Sequence, residues 1–169
     1  MSTTNDTAEE LTLQFTNPAI TPTSLVSLIS DYFSEAQIGD STPTDLALVQ
    51  TSQKKKFSFF STPLVLVVHL SRFVFDAGRA WKNSLAVEFT EKLTLHAADG
   101  VYDLLAVAIH SGTGSNEGHY WAFVKRAGSW KKYNDIHVTA VDFKTVLKEG
   151  IGGKGSPTAY VLFYRLAKK

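Results

Sequence analysis

Between residues 84 and 166 the chain is a succession of short apolar stretches, "SLAVEF", "KLTLHA", "YDLLAVAIH", "HYWAFVKR", "SWKKYN", "HVTAV" and "TAYVLFYRL". Turn signals such as Asp99-Gly100 and Ala127-Gly128 separate them. Segments this short, joined by turns, pair antiparallel, and this constrains the fold more than any other feature. Upstream, the β-branched run "LVLVVHLSRFVF" after Pro63 predicts a strand buried on both faces. Helices are few. In "TPTSLVSLISDYFSEAQIGD", Leu25, Leu28, Ile29, Tyr32 and Phe33 recur at helical spacing, with start signals at Pro22 and Thr23 and a stop at Gly39. A second, short helix is expected over "DFKTVLKEG", where Phe143, Val146 and Leu147 share a face and Gly150 ends it. The pattern predicts an α+β fold: a mainly antiparallel sheet of about six strands, one packed helix over 23–37 and a short second helix.

A chain of 169 residues, 44% hydrophobic and 20% charged, buries the core of one domain. Residues 1–10 read as a polar tail and 11–169 as the domain, opening with the alternating strand "LTLQF". Basic residues exceed acidic ones by a single charge, so nothing points to nucleic acid or an anionic membrane as partner. The longest apolar run, "LVLVVHL", is far shorter than the ~20 residues that span a bilayer. The start "MSTTNDTAEE" has no signal-peptide core, and an intracellular protein of cytoplasm or nucleus is expected. Residues 40–56, ending in "KKK", read as a solvated strand edge or loop, and 76–84, "DAGRAWKNS", as a loop. The "GIGGKGSP" stretch lacks the context of a phosphate loop and reads as a flexible connection. With no cysteine there is no disulfide, no thiolate metal site and no cysteine nucleophile in this chain.

Chemistry concentrates between residues 104 and 135. The strand "YDLLAVAIH" runs into "SGTGSNEG", so His119 stands at a strand mouth beneath a loop of small residues. The hairpin "YWAFVKRAGSWKKYND", turning at Ala127 and Gly128, brings residue 133 or 134 back opposite about residue 120, with Asn134 beside His119. An imidazole that acts as general base needs a third group to fix its tautomer, and Asn134 or Asp135 suits that role. By spacing alone the signal is weak, because a histidine at a strand end next to a polar turn is more often structural. His69 and His110, inside apolar strands, read as satisfied core histidines, and His96 and His137 as surface residues.

These segments together resemble the ubiquitin-specific proteases, papain-like cysteine peptidases, over residues 11 to 166. "TPLVLVVHLSRF" is similar to the strand that carries the family's His-Leu-Lys-Arg-Phe motif, with Ser71 where lysine is usual. "YDLLAVAIHSGTGSNEGHYWAFVK" resembles the histidine box, "SWKKYND" the Trp-x-x-Phe-Asn/Asp-Asp segment and "AYVLFYRL" the closing strand. The resemblance implies His119 as catalytic base, Asn134 as the residue that orients it and Asp135 as a polar helper. It also implies that Gly118 and Tyr120 line the channel for the ubiquitin tail, where a diglycine admits close backbone approach. Residues 76–84 correspond to a second loop over that channel.

The departures are as informative. The family's cysteine stands in an Asn-Thr-Cys box on an N-terminal thumb, and no such box occurs in this chain. Measured against the family, the chain starts where the thumb ends, and "TDLA" at 44–47 occupies the place of the second zinc-binding pair. No cofactor and no finger zinc are therefore expected. Without a thiol the acyl intermediate cannot form, so the chain alone is expected to be inactive. The leading expectation is a pseudoenzyme, a binding or scaffold subunit of a larger assembly. The alternative is half of a split deubiquitinase, completed by a cysteine-bearing thumb. An interaction module that has lost ubiquitin is the third. Ubiquitin or a ubiquitin-like protein, and a protein covering the open palm face, are the partners implied.

Overall fold

The computed structural model describes residues 10–15, 22–34, 36–39, 52–76, 78–114, 117–153 and 157–168. Residues 1–9 of the polar tail, 40–51 with the "TDLA" stretch, and 154–156 of the glycine-rich connection lie outside the described residues. In chain order the elements begin with β1 (Leu11–Gln14), β2 (Thr23–Ser24), helix α1 (Leu25–Phe33), β3 (Ala36–Gly39), β4 (Ser52–Lys55), β5 (Val65–Ser71), β6 (Phe73–Asp76) and β7 (Arg79–Lys82). There follow β8 (Val87–Glu88), β9 (Lys92–Leu95), β10 (Gly100–Ser111), β11 (His119–Arg126), β12 (Ser129–Asn134), β13 (His137–Val141), helix α2 (Phe143–Gly150) and β14 (Thr158–Lys168). Among the described residues no helix is long and apolar enough to cross a membrane.

The α+β class and the packed helix are as the pattern predicts, and the main sheet holds eight strands. Its order is β1-β5-β14-β10-β11-β12-β13, with β9 also paired to β10. Every pair in it is antiparallel except β1 with β5, and β2 with β8 forms a second parallel pair outside it. The twelve-residue β10 is the axis, flanked by β14 on one side and by β9 and β11 on the other. Tyr102, Leu104, Val107 and Ile109 of β10, Leu162 and Tyr164 of β14, and Phe123 of β11 are fully buried at its centre. Burying such side chains contributes on the order of 1.5–3 kcal/mol each. A bulge between Ala108 and Ile109 shifts the end of β10 so that His110 pairs with Thr158.

Four local expectations change. The predicted 23–37 helix is confined to Leu25–Phe33, because Ser24 caps its start by accepting from the Ser27 N–H at 3.1 Å, while the Ser34 hydroxyl bonds the Asp31 carbonyl at 2.6 Å and closes its end. Gly39 is a strand residue of the β3–β4 hairpin, and "KKK" begins inside β4. The run "LVLVVHLSRFVF" is two strands broken at Arg72, whose side chain turns inward. In β5 only Leu66, Val68 and Leu70 are buried, so this strand has one buried face, not two. Residues 76–84 contain β7, which pairs back on β6 across Gly78 at φ +77°. A glycine with positive φ turns a polar segment into a hairpin.

Candidate active site

The β10–β11 mouth is built on glycine. Gly112 and Gly118 both adopt positive φ, +148° and +132°. A Cβ on Gly112 would lie 2.8 Å from the Glu117 carbonyl oxygen, and one on Gly118 would overlap the His110 ring and the Ser111 carbonyl. Only glycine allows the two ends of the loop to approach this closely. The Thr113 hydroxyl donates to the Glu117 carboxylate at 2.6 Å across the loop. His119 then opens β11, paired with Ser111.

The turn at Ala127 (φ +49°) and Gly128 (φ +81°) sets the register of the next hairpin from Arg126↔Ser129 to Ala122↔Tyr133. Tyr133 therefore sits opposite residue 122, not opposite residue 120 as the spacing suggested, since the turn is only two residues long. Asn134 falls one step beyond the ladder, on the His119 and Trp121 face. From that diagonal position its Oδ1 lies 2.5 Å from His119 Nε2. Asp135, held at φ +52° in the turn to β13, brings a carboxylate oxygen within 3.8 Å of the same nitrogen. His119, Asn134 and Asp135 are thus together.

This geometry assigns the proton. The amide oxygen of Asn134 only accepts, so Nε2 carries the hydrogen and the free lone pair of His119 is on Nδ1. The His119 side chain is 47% exposed and that of Asp135 70%, so an incoming group can approach the imidazole. Such an imidazole can take a proton from a thiol or a water and return it to a leaving amine. Gly118 adjoins the pair directly. Tyr120, by strand alternation, points to the opposite face, where its half-exposed ring meets His110 at 4.5 Å and Tyr160 at 6.1 Å.

Of the other histidines, His96 and His137 are exposed as expected. His110 is buried, but only half satisfied: Nε2 lies 3.3 Å from the Glu117 carbonyl, and Nδ1 has no partner among the described residues. Burial first, and Lys82 second, lower its basicity, while the Glu117 carbonyl opposes them. His69 is not a core residue, since its ring is partly exposed and Nδ1 lies 3.4 Å from Glu10.

Sequence reasoning missed the groups behind the site. Lys132 Nζ sits 4.6 Å above the Trp121 ring and 2.7 Å from Glu149 on α2, and Trp121 in turn lies 5.8 Å from His119. Alternation along β11 and β12 could have placed Trp121 and Lys132 on this face. Arg72 is fully buried, donating to the carbonyls of Ala159 (2.6 Å), Asn83 (3.0 Å) and Leu85 (2.8 Å). In the sequence Arg72 stands out only as a cation within an apolar run and as the arginine of the segment similar to the His-Leu-Lys-Arg-Phe motif.

The family model described as ubiquitin carboxyl-terminal hydrolase matches residues 44–164. Ubiquitin carboxyl-terminal hydrolase 12 of Salmo salar is 34% identical over 125 residues, covering 66% of this chain and 33% of that protein. Among solved structures, a yeast SAGA DUB module with a mutant Sgf73 aligns with TM-score 0.77 at 27% identity, over 94% of this chain and 35% of that one. A SAGA DUB module of Ubp8, Sgf11, Sus1 and Sgf73 bound to monoubiquitin gives TM-score 0.74 at 27% identity, over 94% and 35%. The chain spans about a third of the length of the relatives it matches.

Proposed function

The chain belongs to the ubiquitin carboxyl-terminal hydrolase family, and from that premise we propose that this deubiquitinase-like domain is the base-bearing half of a thiol peptidase site. The observation that carries the reading is the His119–Asn134 pair, whose hydrogen bond to Nε2 leaves Nδ1 free as the base. The nucleophile is a cysteine outside this chain, which has none of its own. Its thiol passes a proton to Nδ1, and the thiolate attacks the carbonyl carbon of the terminal glycine of ubiquitin. The imidazolium then gives that proton to the leaving amine as the C–N bond breaks, and water hydrolyses the resulting thioester. Asn134 holds the ring through both steps, and the Asp135 charge favours the imidazolium. Gly118 and Tyr120 line the path of the ubiquitin tail, and the half-open face holding His119 is where the cysteine-bearing partner docks.

A scaffold role without hydrolysis is the second reading, favoured by one observation, the absence of cysteine from all 169 residues. The likeness to multi-protein modules, one bound to monoubiquitin, supports ubiquitin and protein partners under both readings.

The test uses the chain purified under mild conditions from its native source and exposed to ubiquitin carrying a thiol-reactive C-terminal group. A co-purifying cysteine is expected to become labelled, about 10²-fold or more slowly with His119→Ala. Labelling of no polypeptide in the preparation overturns hydrolysis and leaves the scaffold.

A further inference from the structure

Two segments flank the mouth that holds His119, and one side chain ties them together. The β6–β7 hairpin ends at Lys82, and the glycine loop begins just after His110. Lys82 bonds both that loop and the end of the strand that leads into it. Its backbone N–H donates to the Thr113 carbonyl at 3.0 Å, and its Nζ donates to the His110 carbonyl at 2.7 Å. The far end of the loop rests on the same residue, because the His110 ring faces the Glu117 carbonyl at 3.3 Å and lies directly under Gly118. On its other side the hairpin is anchored independently, through the Asn83 N–H on the Arg72 carbonyl at 2.6 Å.

We propose that Lys82 is a positioning residue for the glycine loop, a strut that fixes residues 111–114 and, through His110, residues 117–118 in the shape that receives an extended diglycine tail. The proposal rests on the reading of this loop as one wall of the ubiquitin-tail channel.

The energetics separate positioning from plain stabilisation. Lys82 is only 7% exposed and Arg72 is fully buried, and among the described residues neither meets a carboxylate. Burial, with Arg72 nearby, pushes the Lys82 ammonium down to about 8. A buried cation without a counter-ion is less favourable than an apolar side chain of the same length. Lys82 therefore weakens the fold as a whole while it braces one loop, and residues held at such a cost concentrate at functional sites.

Lys82→Met keeps the length and removes the donor and the charge. In the full chain its thermal midpoint is expected at or above that of the wild type. Amide exchange at residue 82, whose N–H is bound to the loop, is expected to accelerate about tenfold, while the Asn83 amide, bound to Arg72, stays within about twofold. Affinity for full-length ubiquitin is expected to fall about tenfold, and affinity for ubiquitin lacking its terminal Gly-Gly to stay unchanged. A lowered midpoint, or exchange unchanged at residue 82, overturns the proposal and makes Lys82 an ordinary structural residue. If the wild-type chain does not distinguish the two ubiquitins, the tail-channel reading fails, and the exchange measurement still decides whether Lys82 braces the loop.

Discussion

At the scale of single residues, Asn134 decides which nitrogen of His119 keeps its lone pair. An acceptor at Nε2 leaves the lone pair at Nδ1, whereas a donor there would reverse the tautomer and withdraw the base. Lys82 illustrates the opposite relation, a residue held against its own solvation. Its ammonium, lowered from the ordinary 10.5 to about 8, faces Arg72 and the buried His110. Below pH 8 it is charged both folded and unfolded, and its full penalty is felt. As pH rises above about 8 the folded form loses the proton first, the unfolded chain then binds more protons, and stability rises until about 10.5. The stability advantage of Lys82→Met over the wild type is therefore expected to shrink by up to about 3 kcal/mol across that window, measured by urea unfolding at several pH values. That Asn134 comes beside His119 was legible in the sequence because a short turn folds β12 back along β11, although the register was not, and the two residues meet diagonally. Lys82 was not, since its partner lies 28 positions away.

At the scale of elements, α2 shows how a helix is seated by what it lacks. Gly150 was expected to end this helix in the manner of a C-terminal cap. It is instead the last helical residue, with Ile151 following in right-handed conformation. Its significance is packing: a Cβ there would lie 2.7 Å from Cζ of the buried Phe89 and 3.4 Å from Cδ1 of Ile109. Phe143 stacks on Trp130 at 5.7 Å, and Glu149 reaches Lys132 on β12, so the position of α2 is transmitted to the strand that carries Asn134. Gly150→Ala is expected to destabilise the protein by up to about 2 kcal/mol. Overpacking costs about 1–3 kcal/mol, and the better helix propensity of alanine offsets about 1 at most. A lower urea midpoint at unchanged slope is the measurement that checks it.

At the scale of the molecule, β14 joins what the chain order keeps apart. It lies between β5 and β10, so the last strand holds together the first and second halves of the sheet. Thr158, Ala159, Leu162 and Tyr164 are fully buried, and Ala159 supplies the carbonyl that Arg72 grips. A chain ending at Pro157 leaves two unpaired edges in the middle of the core. It is expected to lose its cooperative thermal transition, which calorimetry reads directly. Among the described residues β13 is an edge strand of the sheet, and Ile136, 89% exposed, stands at its entry beside Asp135.

What the sequence determined by itself is what depends on near neighbours. Alternation of apolar residues specifies strands, short turns make them antiparallel, and the Ala127-Gly128 turn carries Asn134 to the side of His119. The absence of cysteine, likewise, sets the limit of the chemistry without any coordinates. Only the tertiary structure decided the order of strands in the sheet, the two parallel pairs, the break at Arg72 and the bracing of the glycine loop by Lys82. Each of these depends on contacts between residues far apart in the chain. Hydrophobic period records which face of an element is buried but not which other element buries it, and that choice is made by packing.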